Sequence, residues 1–183
     1  TNTGEEGSEG EGTFVYTPMN VGDGKVYGVE FDLSTDLGFI GLPNTGLFGN
    51  LSWLDSEITD ELGERRFNNQ SKYVYNFGFI QDFPTFGAAF GATYRKQGAA
   101  YSRVIAEEVT TTYGAELEVF VEKRFGKKFT IRAVGSNLLN GAKRETFNKF
   151  DNLADQVDRN FDEYELESEK AGPVFQLIAR MAF

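Results

Sequence analysis

Apolar residues recur at every second position through most of this chain, and no long stretch carries helical spacing, so it has to fold as strands. In KVYGVEFDLSTDL, Tyr27, Val29, Phe31, Leu33 and Leu37 alternate with Gly28, Glu30, Asp32, Ser34 and Asp36. LFGNLSWLDSEITD sets Leu47, Leu51 and Trp53 against Asn50, Ser52 and Ser56. KYVYNFGFIQDF aligns Tyr73, Tyr75, Phe77, Phe79 and Phe83, and after Pro84-Thr85 the run FGAAFGATYRK aligns Phe86, Ala88, Phe90, Ala92 and Tyr94. TTYGAELEVFVEKRF places Tyr113, Leu117, Val119, Val121 and Phe125 opposite Glu116, Glu118, Glu122 and Arg124, with Phe120 as the exception. FTIRAVGSNLLN follows after a GKK turn, and the chain closes on GPVFQLIARMAF, where Phe175, Leu177, Ala179, Met181 and Phe183 share a face. Seven main strands are expected, starting near residues 25, 47, 72, 86, 111, 128 and 162, with 137–140 as a kink within the sixth.

The connections between these strands alternate in kind. GFIGLPNTG, DFPT and FGKK are short and weakly charged, whereas the segments near 55–72, 98–110 and 151–163 are longer and charged. The two ends of one sheet therefore face different surroundings, as in transmembrane barrels with short turns on one side and long loops on the other. Aromatic spacing fits the same picture. From Tyr73 to Phe83 is 10 residues, from Phe86 to Tyr94 is 8, and from Tyr113 to Phe125 is 12; a tilted spanning strand needs about 9–11. Phe stands at the short-turn end and Tyr toward the long loops, so Tyr27, Tyr73, Phe83, Phe86, Tyr94, Tyr113, Phe125 and Phe129 are the expected membrane-interface aromatics.

Composition narrows the function. The 183 residues contain no Cys and no His, which removes disulfides, thiol nucleophiles, Cys/His zinc sites and His-based triads, so no enzyme chemistry is expected. A net charge of −10 disfavours nucleic acid, whose phosphates need a basic face. Aromatics at 15% argue against a disordered acidic chain. No window reaches the ~20 apolar residues of a spanning helix; GAAFG at Gly87–Gly91 matches a small-residue helix-pairing motif, but its apolar surroundings are too short. The sequence starts without an initiator Met or signal peptide and reads as a mature product or a fragment. Its acidic, Gly-rich opening, 1–12, is expected to be an extracellular loop, with 13–183 forming barrel strands and loops.

NVGDGKVYGVEFDLSTDL, LFGNLSWLDSEITD, GSNLLNGAKRETF and the closing GPVFQLIARMAF together resemble the C-terminal part of the barrel of TonB-dependent outer-membrane receptors, from about Pro18 to Phe183. The resemblance implies an all-β fold: an antiparallel transmembrane β-barrel segment of about seven strands, the C-terminal third of a roughly 22-stranded barrel. It also implies the outer membrane of a Gram-negative cell, with outer-membrane lipid as a partner, and a plug and further strands upstream. Energy would come from the TonB complex acting through that plug and its TonB box. The ligand would be a scarce small molecule such as siderophore-bound iron, cobalamin or an oligosaccharide. No cofactor is implied. Phe175, Leu177, Ala179, Met181 and Phe183 would form the signal read by the barrel assembly machinery, with the last strand pairing to the first and so abolishing its open edge.

Other features carry two readings each. Asp60, Glu61, Glu64, Arg65, Arg66, Glu107 and Glu108 could contact a ligand from the loops, or be solvated charge. Glu30, Asp32, Glu116, Glu118, Glu122, Arg124, Arg132 and Arg180 could line a substrate path, or form ladders that brace the wall. Asp151, Asp155, Asp158 and Asp162 lack the spacing and central Gly of a calcium loop. The alternative to a membrane barrel is a soluble barrel or sandwich with the apolar face turned inward onto an apolar ligand.

Overall fold

The computed structural model describes residues 2–6, 12–14 and 22–182. Strands β1 (Asn2–Glu6) and β2 (Gly12–Phe14) pair antiparallel, so part of the opening segment is a hairpin. Then come β3 (Lys25–Leu37), β4 (Leu42–Asp60), the short β5 (Gly63–Arg65) folded back on the end of β4, and β6 (Tyr73–Phe83). They are followed by β7 (Ala88–Gln97), β8 (Ala100–Val104), β9 (Glu107–Tyr113), β10 (Glu116–Phe125) and β11 (Phe129–Ser136). The chain continues through β12 (Lys143–Lys149), a short helix α1 (Leu153–Asp158), β13 (Glu163–Glu169) and β14 (Val174–Met181). Residue 1, residues 7–11 and 15–21, and Phe183, the last residue of the expected assembly signal, lie outside the described residues.

Two sheets dominate. The main one runs β14-β11-β10-β7-β6-β4-β3, every pair antiparallel, seven strands as expected. The second runs β13-β12-β9-β8. The two share one order, because β7 continues into β8, β10 is entered from β9, β11 leads to β12, and β13 leads to β14. Four strands of the wall thus extend past a break into an upper layer. The expected strand boundaries shift accordingly. The fifth starts at Glu116 rather than near 111, and the residue-162 start belongs to β13 of the upper sheet, with the last wall strand beginning at Val174.

The break is built from small residues and left-handed turns. The backbones of Gly114 and Gly141 touch: a Cβ on Gly114 would stand 2.4 Å from the Cα of Gly141. Gly114 also donates its N–H to the Ala142 carbonyl at 2.7 Å. In place of a kink within a strand, 137–140 forms the link between β11 and β12. Asn137 and Asn140 sit at φ 53° and 47°, the left-handed region that Asn tolerates better than most residues. The Asn137 side chain donates to the Gly172 carbonyl at 2.8 Å and Asn140 Oδ1 accepts the Gly172 N–H at 3.2 Å, so both asparagines clamp the neighbouring β13–β14 link.

The two layers are held differently. Apart from Ala89 and several glycines, every buried side chain among the described residues belongs to the upper layer or to the top of β4 and its loop: Ala100, Ala106, Ala142, Phe150, Glu108, Thr111, Gln156, Ser56 and Ser71. Among the described residues no second layer packs on the main sheet. Its apolar residues are instead open to the surroundings, as at Val29 (66%), Phe31 (59%) and Leu177 (76%). An apolar sheet face that the chain leaves uncovered needs a solvent other than water.

Candidate functional site: a two-faced wall and its loop layer

The register fixes which residues share a face. Across the sheet, Phe31-Leu51-Tyr75, then Leu47-Phe79-Ala92-Val119-Gly135-Phe175, then Phe90-Val121-Ala133-Leu177 stand in rows. These rows make one largely apolar face, with Lys96 beyond Tyr75 at its upper end and Lys123 between Ala88 and Ile131 at its lower end. Phe129 and Met181 close it at the bottom, so Phe175, Leu177, Ala179 and Met181 of β14 share it from end to end. The other face carries Asp32-Asn50-Asn76-Arg95-Glu116, then Thr93-Glu118-Ser136, then Asp82-Ala89-Glu122-Arg132. Its groups are knitted together: Asn76 Nδ2 donates to Asn50 Oδ1 at 2.6 Å, Ser136 Oγ to Glu118 at 2.9 Å, and Arg124 to Asp82. Arg132 lies 3.8 Å from Glu122. A cavity of about 220 Å³ opens on this face among Asn76, Thr93, Arg95, Glu116, Glu118, Ser136 and Asn137.

Phe120, the exception to the alternation, also faces this polar side. Its ring lies over Gly91, where a Cβ would be 2.6 Å from it, and the Arg132 guanidinium stacks on it at 3.7 Å. The glycine makes room for an aromatic ring flat against the sheet, and the arginine covers the ring from the wet side.

Aromatics gather at two levels of the wall. At the short turns, Phe83 ends β6, Phe86 stands 71% exposed at the tip, and Phe125 and Phe129 face each other across their turn at 5.8 Å. Toward the long loops, Tyr27 approaches Trp53 at 6.5 Å, Tyr73 stacks on Tyr75 at 5.9 Å, and Tyr94 meets Tyr75 at 6.2 Å and Phe77 at 5.2 Å. Tyr113, the last residue of β9, sits at the break, where its carbonyl takes the Lys96 ammonium. Sequence reasoning left Trp53 and Tyr75 out of the girdle. Trp53 is the register partner of Tyr73, information a strand-by-strand reading does not contain.

The loop charges singled out from sequence divide into two sets. Asp60 accepts from Arg65 and, at 2.7 Å, from Arg103; Arg66 reaches Asp55 at 2.7 Å and the Leu54 carbonyl at 2.8 Å. Burial pushes the Asp60 carboxyl up, but the Arg65 hydrogen bond, the Leu62 N–H and the two guanidinium charges outweigh it and hold the group below its ordinary value. Glu108, 4% exposed, takes Arg159 Nη1 on both carboxylate oxygens at 2.7 Å. Burial, aided by the Glu108 charge, raises the Tyr101 hydroxyl to about 12, so it stays neutral beside that carboxylate. Arg159 also lies against the neighbouring rings of Phe150 (5.4 Å) and Phe161 (4.9 Å), which themselves stand 5.0 Å apart. Glu61 and Glu64 are exposed, and Glu107 stands opposite Lys149 on β12.

Gln156 completes the layer. It is 2% exposed, donates to the Val104 carbonyl at 3.1 Å and accepts the Ala106 N–H at 2.9 Å, tying α1 to the β8–β9 turn. Asp155 is taken up in capping α1, where its N–H reaches Asn152 Oδ1 at 3.0 Å. Among the described residues no group of three acidic side chains is disposed to hold a metal ion.

An open antiparallel sheet with one apolar and one polar face, short turns below and a folded loop layer above, defines a segment of a transmembrane β-barrel wall. The family model described as TonB dependent receptor-like, beta-barrel, matches residues 1–138. The chain belongs to this family and is part of the barrel of a TonB-dependent receptor. Its family places it in the outer membrane and among receptors and transporters rather than enzymes. Neither the curated proteins nor the solved structures gave a match.

Proposed function

We propose that this chain is the C-terminal portion of a receptor that takes up a scarce small ligand, with energy delivered by TonB through an upstream plug. The observation that carries the reading is the division of labour between the layers. The wall offers an uncovered apolar face to lipid and a hydrogen-bonded polar face to a lumen, while the loops have a packed core of their own. On this reading β14 and Phe183 are the assembly signal, and the Phe and Tyr tiers sit at the two headgroup levels. The ligand is met by the polar face and by the exposed loop charges Glu61 and Glu64. Asp60, Arg65, Arg66 and Glu108 are braces that hold the loops in shape. A soluble sandwich is disfavoured because nothing among the described residues covers the apolar face.

The test compares accumulation of labelled ferric chelates, cobalamin and oligosaccharides by cells carrying the full-length receptor, with and without TonB. TonB-dependent uptake of one class is expected. Equal uptake of all of them in both strains contradicts the reading.

A further inference from the structure

The largely apolar face of the wall carries a charge where its lower aromatics gather. Lys123 lies in register between Ala88 and Ile131, in the row that runs from Phe83 to Ala179, so it stands among side chains turned to lipid. Its ammonium donates to the Phe86 carbonyl and lies 5.8 Å from the centre of the Phe125 ring. An ammonium has three donors, and this carbonyl takes one. Lys127 follows in the turn that joins β10 to β11 and is exposed. Phe86 and Phe125 are themselves 71% and 50% exposed.

Among the described residues neither lysine has a carboxylate within ion-pair distance. Asp82 and Glu122, the acids of β6 and β10 at this level, belong to the opposite face, where Arg124 pairs with Asp82 and Arg132 lies 3.8 Å from Glu122. The strands thus leave positive charge without a counterion on the lipid side of the short turns. A cation placed there is costly in hydrocarbon but favourable at the headgroup level, where its stem lies along apolar side chains and its head meets phosphate.

We propose that Lys123 and Lys127, with Phe86 and Phe125 beside them, bind the headgroup of an anionic phospholipid in the leaflet at the short turns. The chemistry they recognise is a phosphate whose charge is not balanced by an ammonium of its own. Lipid rather than solution supplies it, because Lys123 opens from the apolar face of the wall and not from the polar one. The acyl chains then lie along Val121, Ala133 and Leu177, the row directly above. Each lysine near an anionic bilayer surface strengthens such binding about fivefold. The inference goes beyond the uptake of a ligand; it rests on the placement of the wall in a membrane and on none of the ligand contacts.

The experiment places a fluorophore on Ala133→Cys, one row above Lys123, in a full-length receptor otherwise free of Cys. The receptor is reconstituted in phosphatidylcholine bilayers in which a small fraction of the lipid carries brominated, quenching acyl chains. That fraction is either phosphatidylglycerol or phosphatidylcholine, and the ratio of quenching by the two reads the preference of the site. A preference of at least about fivefold for phosphatidylglycerol is expected at position 133. None is expected with the label on Leu33→Cys, which faces lipid on β3, at the far side of the sheet. Equal quenching by both lipids at 133 overturns the proposal. An equal preference at both positions also overturns it, because the charge of the whole receptor then attracts the lipid. Lys123→Gln and Lys127→Gln should each lower the preference and together abolish it, while Lys123→Arg should keep it; a preference that survives the double substitution overturns the assignment to these lysines. No transported ligand enters this readout, so a failed uptake assay and a failed lipid site are distinguishable.

Discussion

Glu108 and Asp60 explain how acidic loops can hold a fixed shape. A carboxylate as buried as Glu108 is costly unless it is paired, and Arg159 pairs it on both oxygens from a half-exposed position beside Phe150 and Phe161. Arg159→Ala removes the cation from a buried carboxylate that keeps only the Tyr101 hydroxyl beside it, and because Arg159 is itself half exposed a loss of about 1–3 kcal/mol is expected. The loss should appear as protease cleavage between 150 and 162 in membranes that otherwise resist digestion; unchanged cleavage would remove Arg159 from the account. Asp60 gives the pH dependence. Its carboxyl is held below the ordinary value by Arg65 and Arg103, so the folded state favours the ionised form. The stabilisation is present at neutral pH and is lost as pH falls through the lowered folded value, below the ordinary ~3.9 of Asp. Protection of the 61–72 segment should therefore drop in acid below that range, and Asp60→Asn should show the weaker protection already at pH 7. Arg103 and Arg159 were not legible as partners of Asp60 and Glu108, because 43 and 51 residues separate the pairs.

At the scale of elements, the alternation revealed which residues share a face but not where strands stop. Tyr113 and Leu117 are both odd-numbered and apolar, so the run through Gly114-Ala115 keeps its parity while the strand breaks. A period of two is blind to such a break, since each side chain still falls on its expected side. The available signal is the glycine near each break, Gly98, Gly114, Gly141 and Gly172, and its physical cause appears only with the second strand in place. Gly114→Val forces a side chain into the Gly141 backbone. About 1–3 kcal/mol of destabilisation is expected from such overpacking, read as faster exchange at β9 and β12 while β6 is unaffected. In β14, Leu177→Asp puts a charge in the middle of the apolar face. It should lower the amount of receptor in the outer membrane, whereas Gln176→Asp on the opposite face should leave it unchanged; equal levels of both variants would separate β14 from assembly.

For the whole molecule, the fold class, the number of wall strands and the asymmetry between turns and loops were legible, because a membrane wall forces alternation and a fixed strand length onto the sequence. The four-stranded upper layer was not, because its core consists of small and polar side chains such as Ala100, Ala106, Thr111 and Gln156, which carry no hydrophobic pattern. The wall is dry on one side and wet on the other. The chain contains no native Cys, so single cysteines can be placed along β10 in a full-length receptor otherwise free of them. Labelling from outside with a charged, membrane-impermeant thiol reagent, and from the bilayer with a lipid-borne quencher, should alternate residue by residue. Positions 118, 120 and 122 should react with the aqueous reagent, and positions 117, 119 and 121 should be quenched by lipid. A uniform response, or the opposite parity, would contradict the assignment of the two faces.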